Sequence, residues 1–94
     1  MVLRQGYLDK KSPWLHYNKR KVILYSTPKL VYIDPSNKKI KGEILLNKGF
    51  KIQHISMTIF DLVSQKRSYR FRASDGDVLV WEKSITDAIK QYSK

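Results

Sequence analysis

The chain has 94 residues, with 19 lysines and arginines against 8 aspartates and glutamates, no cysteine, and a formal net charge of +11. The length predicts one domain over residues 1–94, and a hydrophobic content of 41% is too high for a disordered basic tail. The lack of cysteine excludes disulfides, Cys-based zinc sites and thiol nucleophiles. No apolar run approaches the roughly 18 residues that a membrane-spanning helix needs. We therefore expect a small basic domain with an anionic partner.

Most of the chain reads as short strands. Tight turns separate them, because proline, aspartate, asparagine and serine cluster between the β-branched and aromatic runs. The predicted strands are residues 6–10, 19–25, 29–33, 41–46, 50–55, 58–63 and 68–72. The second and third lie so close in sequence that they predict an antiparallel hairpin. In the last strand Tyr69 and Phe71 alternate with arginines, and we expect these two aromatics to face the core.

The apolar period then changes to three and four residues, which predicts an amphipathic C-terminal helix. Its apolar face would consist of Val78, Trp81, Ile85, Ala88, Ile89 and Tyr92. Ser74 is the expected N-terminal cap, and Trp81 is expected in the core. The predicted fold class is mainly β: a seven-stranded antiparallel barrel or orthogonal sandwich capped by one C-terminal helix.

This order of elements resembles the pleckstrin homology domain, over about residues 4 to 93. Residues 6–10 (Gly-Tyr-Leu-Asp-Lys) are similar to that family's opening strand, and Trp81 falls where the family keeps its tryptophan. Residues 34–44 (Asp-Pro-Ser-Asn-Lys-Lys-Ile-Lys-Gly-Glu-Ile) further resemble the third-to-fourth strand connection of the 3-phosphoinositide-dependent protein kinase family. The chain contains no kinase catalytic motif, neither the Gly-rich loop nor His-Arg-Asp nor Asp-Phe-Gly. The resemblance implies a regulatory module of a serine/threonine kinase, without enzymatic activity of its own.

The resemblance also implies a headgroup site. Inositol polyphosphates need several cations that converge from different strands, with hydroxyl donors between them. The expected headgroup-binding residues are Lys10, Lys19, Lys21, Tyr32 and Lys41. Lys10 and Lys21 are expected to reach the 3-phosphate side of the ring. The family usually has arginine at the position matched to Lys21, and lysine lacks the bidentate fork, so selection of the trisphosphate headgroup is expected to be weaker.

Other residues are assigned less direct roles. Lys11, Arg20 and His16 are possible additional contacts. The residues expected to be mostly solvated surface are Lys38, Lys39, Lys48, Lys51, Lys66 and Arg67. Trp14 and Leu15 lie in a loop at the predicted rim, where they would either enter a lipid interface or fold back onto the domain. No metal ligands, catalytic residues or cofactor are expected.

Three functions remain open from the sequence. The first is a non-catalytic module that binds phosphoinositides (3-phosphorylated lipids favoured) or soluble inositol polyphosphates and recruits an attached kinase from the cytoplasm to the plasma membrane. The second is the same fold used for protein contact, with weak lipid binding. The third is a basic β-barrel that binds nucleic acid, disfavoured because no RNA-recognition signature is present. We expect no nucleic-acid partner.

Overall fold

The computed structural model describes residues 1–14, 16–73 and 77–92. Seven antiparallel strands form one hydrogen-bonded sheet, in the spatial order β4-β3-β2-β1-β7-β6-β5. The strands are β1 (Val2–Lys11), β2 (Tyr17–Tyr25), β3 (Lys29–Ile33), β4 (Ile40–Leu45), β5 (Lys51–His54), β6 (Ile59–Val63) and β7 (Ser68–Arg72). The helix α1 (Val78–Tyr92) follows them. The prediction of a mainly β fold with seven strands and one C-terminal helix is confirmed.

The inner face of the sheet carries the core. Its buried side chains come from six of the strands, from the segments that follow β4 and β7, and from α1, and they share an apolar character. They include Leu8, Val22, Leu24, Leu30, Ile44, Leu46, Phe60, Leu62, Phe71, Ala73, Val78, Trp81, Ile85, Ala88 and Ile89. Phe60 and Phe71 stack with ring centroids 5.6 Å apart, which joins β6 to β7 at the centre of the core.

The helix places its apolar stripe against this core, as the spacing predicts. Trp81 is only 2% exposed, so its predicted role in the core is confirmed. Tyr92, by contrast, is 59% exposed, and its place on the apolar face was a wrong prediction. Tyr92 lies in the last turn of the helix, beyond the core. It lines a surface recess together with Asn47, Lys48 and Gly49, which precede β5. The predicted cap Ser74 lies outside the described residues.

The chain direction decides which loops come together. In the sheet order, β1 runs antiparallel to both β2 and β7. The β1–β2 loop, the β3–β4 turn, the β6–β7 turn and the start of β5 therefore lie at one end of the sheet. We call this end the open rim.

Candidate functional site

Strand alternation sorts the basic residues of the β1–β2 pair into two sets. Residues opposite one another in an antiparallel pair share a face of the sheet. Arg20 is opposite Leu8, a core residue, and Lys10 is two positions further along β1. Lys10 and Arg20 therefore lie on the inner face, where β1 and β2 approach the open rim.

Lys10 lies between two aromatic rings on that face. Its ammonium Nζ is 4.8 Å from the ring centroid of Tyr32 and 5.6 Å from that of Tyr69. Arg67 Nη1 donates a hydrogen bond of 3.3 Å to the Tyr69 hydroxyl. We call the set of Lys10, Arg20, Tyr32, Arg67 and Tyr69 the rim cluster.

The charges in the rim cluster perturb one another. Burial, followed by repulsion from Arg20 and Arg67, lowers the pKa of Lys10 from its ordinary value. Burial, followed by the neighbouring Tyr69, raises the pKa of Tyr32. Its hydroxyl therefore stays protonated and can donate a hydrogen bond across the physiological pH range. Among the described residues, no cation of the rim cluster forms a salt bridge. The site can therefore accept an anion that would relieve the repulsion and receive the hydroxyl hydrogen bonds.

Lys41 follows the β3–β4 turn, which lies at the same open rim. The register of β3 and β4 shifts between Tyr32 and Ile33, which makes Lys41 the additional residue of a bulge. Asp34 anchors the turn, because its Oδ1 accepts hydrogen bonds from the Ser36 amide at 2.9 Å and the Ser36 hydroxyl at 2.7 Å. These bonds lower the pKa of Asp34, with smaller contributions from the positive charges of Arg20 and Lys41. Lys41 and Arg20 therefore share one electrostatic neighbourhood.

Gly42 determines where the Tyr32 hydroxyl lies. The two residues are opposite each other in the β3–β4 register. A Cβ atom at position 42 would lie 2.2 Å from the Tyr32 hydroxyl oxygen and 2.4 Å from Cζ. Only glycine leaves room for the tyrosine ring to lie across β4 in this position. Glycine at position 42, directly after Lys41, is therefore required by the position of the Tyr32 ring.

Lys19 and Lys21 lie on the opposite, outer face. Lys21 is paired with Tyr7 and Lys19 with Asp9. The Lys19 ammonium lies 4.9 Å from the ring centroid of Tyr7, which is 58% exposed. The structure thus does not bring Lys21 together with Lys10, contrary to the expected convergence, because odd-numbered residues of β2 point away from the core. Arg20, expected only as an additional contact, takes the inner position.

The remaining predicted residues lie around the β1–β2 loop. Lys11 is on the outer face opposite Tyr17. His16 is exposed, and its carbonyl accepts a hydrogen bond of 2.7 Å from the Ser12 amide, which closes the loop. Trp14 is 80% exposed, so it does not fold back onto the domain. Leu15 lies outside the described residues.

Sequence reasoning missed Arg67 and Tyr69 as members of the site. Tyr69 packs against the core, as expected, but it is only half-buried, and its ring also lies against Lys10. The contact arises because β1 pairs with β7, with Lys10 opposite Phe71. The alternation within β7 shows that Tyr69 shares the inner face with Phe71, but the pairing of two strands so distant in sequence has no local signal.

Residues 1–14, 16–73 and 77–92 contain neither a cluster of metal ligands nor a helix that could span a membrane. No group of three His, Asp or Glu side chains is arranged to hold a metal ion there. No helix in the same residues is long and apolar enough to cross a membrane.

The chain is similar in sequence to parts of several protein kinases. It is 31% identical over 93 residues to 3-phosphoinositide-dependent protein kinase 1 of Caenorhabditis elegans, which covers 99% of this chain and 14% of the kinase. It is 28% identical over 91 residues to the human protein of that name, covering 97% of this chain and 16% of the kinase. It is 32% identical over 87 residues to 3-phosphoinositide-dependent protein kinase B of Dictyostelium discoideum, covering 93% of this chain and 10% of that protein. The chain thus spans only a sixth or less of these curated relatives.

Solved structures show the same fold. The C-terminal PH domain of pleckstrin in complex with D-myo-Ins(1,2,3,4,5)P5 superposes with a TM-score of 0.83 at 23% identity, covering 100% of both chains. The N-terminal PH domain of human ARAP2 gives a TM-score of 0.78 at 24% identity, covering 94% of this chain and 79% of that one. The family model of the PH domain matches residues 1–94. The chain therefore belongs to the pleckstrin homology (PH) domain family of non-catalytic modules.

Proposed function

We propose that this domain binds the headgroups of polyphosphoinositides, and soluble inositol polyphosphates, at its rim cluster together with Lys41. The observation that carries the proposal is the Lys10 ammonium between the rings of Tyr32 and Tyr69, with Arg67 bonded to the Tyr69 hydroxyl and Arg20 on the same inner face. Several phosphates on one ring offer several dianionic groups within a small volume, and clustered cations with hydroxyl donors match that chemistry. One of the solved PH domains has an inositol pentakisphosphate bound, which supports this ligand class.

The proposed site, which is the rim cluster together with Lys41, differs from the set expected from the sequence. Lys10, Tyr32 and Lys41 are retained, and Arg20 and Arg67 join them because they act on the Lys10 ammonium. Arg20 also supplies the planar fork that recognises phosphate in a bidentate manner. Lys19 and Lys21 are proposed to attract an anionic leaflet from the outer face, worth about 1 kcal/mol per residue near such a surface.

Calorimetry tests the site directly. Lys10→Ala is expected to reduce the affinity for inositol 1,3,4,5-tetrakisphosphate by at least tenfold, since a hydrogen bond to a charged group contributes about 1.5–3 kcal/mol. Lys90→Ala removes the same charge from an exposed position on α1 and is the matched control. Unchanged affinity in the folded Lys10→Ala variant would rule the site out. The same titration with analogues that lack the 3-, 4- or 5-phosphate defines the preferred isomer, which we expect to be 3-phosphorylated.

The wider role is proposed from the relatives. Three curated relatives are named as 3-phosphoinositide-dependent protein kinases, and the chain matches only a small part of each. We propose that the domain is one module of a serine/threonine kinase and moves that kinase from the cytoplasm to the plasma membrane. A fluorescent fusion of the chain should concentrate at the plasma membrane of cells that produce 3-phosphorylated lipids. The fusion carrying Lys10→Ala should stay diffuse, and membrane localisation of that variant would contradict the proposed role.

Trp14 is proposed to enter the lipid interface beside the bound headgroup. Its indole is 80% exposed at the open rim, whereas the second tryptophan, Trp81, is 2% exposed. A change in iodide quenching of fluorescence on vesicle binding therefore reports on Trp14. Vesicles containing phosphatidylinositol 3,4,5-trisphosphate should protect Trp14 from iodide. Trp14→Ala should weaken vesicle binding about threefold or more and leave binding of the soluble headgroup unchanged; equal weakening of both would assign Trp14 to the headgroup site.

A further inference from the structure

A cavity lined by cations lies at the open rim, between the β6–β7 turn and the segment that leads into β5. Its volume is about 870 Å³. We call it the β5 cavity. The residues that line it and matter for its chemistry are Lys48, Lys51, Lys66, Arg67, Phe50 and Tyr69. It shares Arg67 and Tyr69 with the rim cluster, so the two sites adjoin without coinciding.

Hydrogen-bonded turns form both walls of the β5 cavity. On one side, the Ser64 amide donates to the Arg67 carbonyl at 2.8 Å, and the Arg67 amide donates to the Ser64 hydroxyl at 3.2 Å. On the other side, Asn47 Oδ1 accepts from the Gly49 amide at 2.7 Å, and the Asn47 carbonyl accepts from the Phe50 amide at 3.0 Å. The backbone that carries the lysines is therefore set before any ligand arrives.

The charge of the β5 cavity is uncompensated. Four cations line it, and no Asp or Glu is among the described residues around it. The salt bridges of the described residues involve other side chains, so Lys48, Lys51 and Lys66 have no acidic partner there. Asn47 lines the cavity beside these cations, whereas the Ser64 hydroxyl already donates to the Arg67 carbonyl at 3.2 Å. Clustered ammonium and guanidinium groups with polar donors are the chemistry that binds phosphate.

One wall of the cavity is apolar. Phe50 packs against the core, and Val63 lies opposite Lys51 in the β5–β6 register. A ligand with a small apolar portion next to its phosphate would use this wall as well as the cations, whereas inorganic phosphate would use the cations alone.

We propose that the β5 cavity is a second anion site that binds a dianionic phosphate group, whether or not a headgroup occupies the rim cluster. The dianionic phosphate would lie among Lys48, Lys51 and Lys66, with Arg67 between the two sites. The ligand can be a monoester lipid such as phosphatidic acid or free phosphate, which present the same group. The proposal goes beyond the proposed function, because it requires no headgroup at Lys10.

Amide chemical shifts of the whole chain test the proposal. The probes are dihexanoyl phosphatidic acid, soluble below its micelle concentration, and inorganic phosphate, each titrated above pH 8. The amides of Gly49, Lys51 and Ser64 are expected to shift and saturate. Lys51→Ala/Lys66→Ala should reduce the affinity at least fivefold, whereas Lys83→Ala/Lys90→Ala, which removes two exposed lysines from α1, should leave it within twofold.

A further variant separates this proposal from the headgroup site. Lys10→Ala should leave the shifts at Gly49, Lys51 and Ser64 intact, even if it abolishes headgroup binding. Tighter binding of the lipid than of inorganic phosphate would identify the lipid as the source, and equal affinities would identify free phosphate. Absence of saturable shifts at these amides, or equal losses in the α1 control, would overturn the proposal. An unchanged Trp81 indole resonance confirms that each variant is folded.

Discussion

The inner and outer faces of the β1–β2 pair carry the same residue types in different surroundings. On the inner face Lys10 is half-buried, lies between Tyr32 and Tyr69, and is repelled by two arginines. On the outer face the exposed Lys19 contacts the ring of Tyr7. The comparison shows that basic residues on two paired strands differ in environment: those on the inner face are crowded by other cations, and those on the outer face are not.

Crowding has an energetic consequence. Like charges held close together oppose folding, and burial adds to the cost of keeping them charged. The fold tolerates this cost at the rim cluster because strand pairing and the core hold β1, β2 and β7 in place. An anion that enters the cluster removes the repulsion, so part of the binding energy comes from strain already present. No such gain is available on the outer face.

The largest expected effect contrasts the two faces directly. Lys10→Ala/Arg20→Ala should reduce the affinity for inositol 1,3,4,5-tetrakisphosphate by about 100-fold or more, since two charge-assisted contacts of about 1.5–3 kcal/mol each are lost. Lys19→Ala/Lys21→Ala removes the same number of charges from the outer face and should change the affinity by less than about threefold. Calorimetry at constant salt measures both.

A larger loss of affinity in Lys19→Ala/Lys21→Ala than in Lys10→Ala/Arg20→Ala would place the headgroup site on the outer face. Equal losses in the two double variants would mean that binding depends on net charge alone. A salt titration then distinguishes attraction by net charge from binding at the rim cluster. Diffuse attraction falls steeply with ionic strength, whereas contacts in a half-buried cluster are screened less.

A smaller effect is expected from Gly42→Ala. The new methyl group would overlap the Tyr32 hydroxyl, so the ring must move out of the rim cluster. We expect roughly a tenfold loss of headgroup affinity, from one misplaced hydroxyl donor and the altered position of Lys10. Tyr32→Phe measures the hydroxyl alone. In a Gly42→Ala/Tyr32→Phe double variant the losses should not add, and full additivity would show that Gly42 acts through another residue.

The strands and the helix could be predicted because their signals are local. β3 and β7 have the predicted bounds, and the turn at Asp34 follows from side chains that bond to their own backbone. The face of β2 was harder to predict. Val22, Ile23, Leu24 and Tyr25 are all apolar and give no alternation, so the sequence shows that Lys19 and Lys21 share a face without showing which face is inner.

The nonlocal part of the site was not predictable in this way. Arg67 and Tyr69 reach Lys10 only because β7 pairs with β1, across some sixty positions of sequence. The family's arginine was matched to Lys21, which lies on the outer face, whereas Arg20 lies on the inner face. The sequence therefore predicted which types of residue form the candidate site. Which of them lie together could be seen only from the strand pairing in the sheet.

The pH dependence of binding should distinguish the inner face from the outer. The folded-state pKa of Lys10 lies below its ordinary value of 10.5, so Lys10 loses its proton earlier than an exposed lysine as the pH rises. Headgroup affinity should therefore fall as the pH rises towards the lowered pKa of Lys10, at a lower pH than for a site built on exposed lysines. Binding in the pH range of this fall should be accompanied by proton uptake, measurable by calorimetry in buffers of different ionisation enthalpy. Lys10→Arg should abolish the dependence, whereas Lys19→Arg should preserve it; a profile unaffected by Lys10→Arg would assign the titration to another group.

The smallest expected effect has opposite signs for binding and for stability. Arg20 is the largest source of charge repulsion on Lys10, so Arg20→Gln should weaken headgroup binding and yet stabilise the folded domain by about 0.5 kcal/mol. The gain arises because the folded state no longer holds two cations together, and it should shrink as salt is added. Lys19→Gln on the outer face relieves no such crowding and loses only its contact with Tyr7. Urea denaturation of both variants at low and high salt measures the difference. If Arg20→Gln is no more stable than Lys19→Gln at low salt, the rim cluster is not strained, and its affinity for anions must come from new contacts alone.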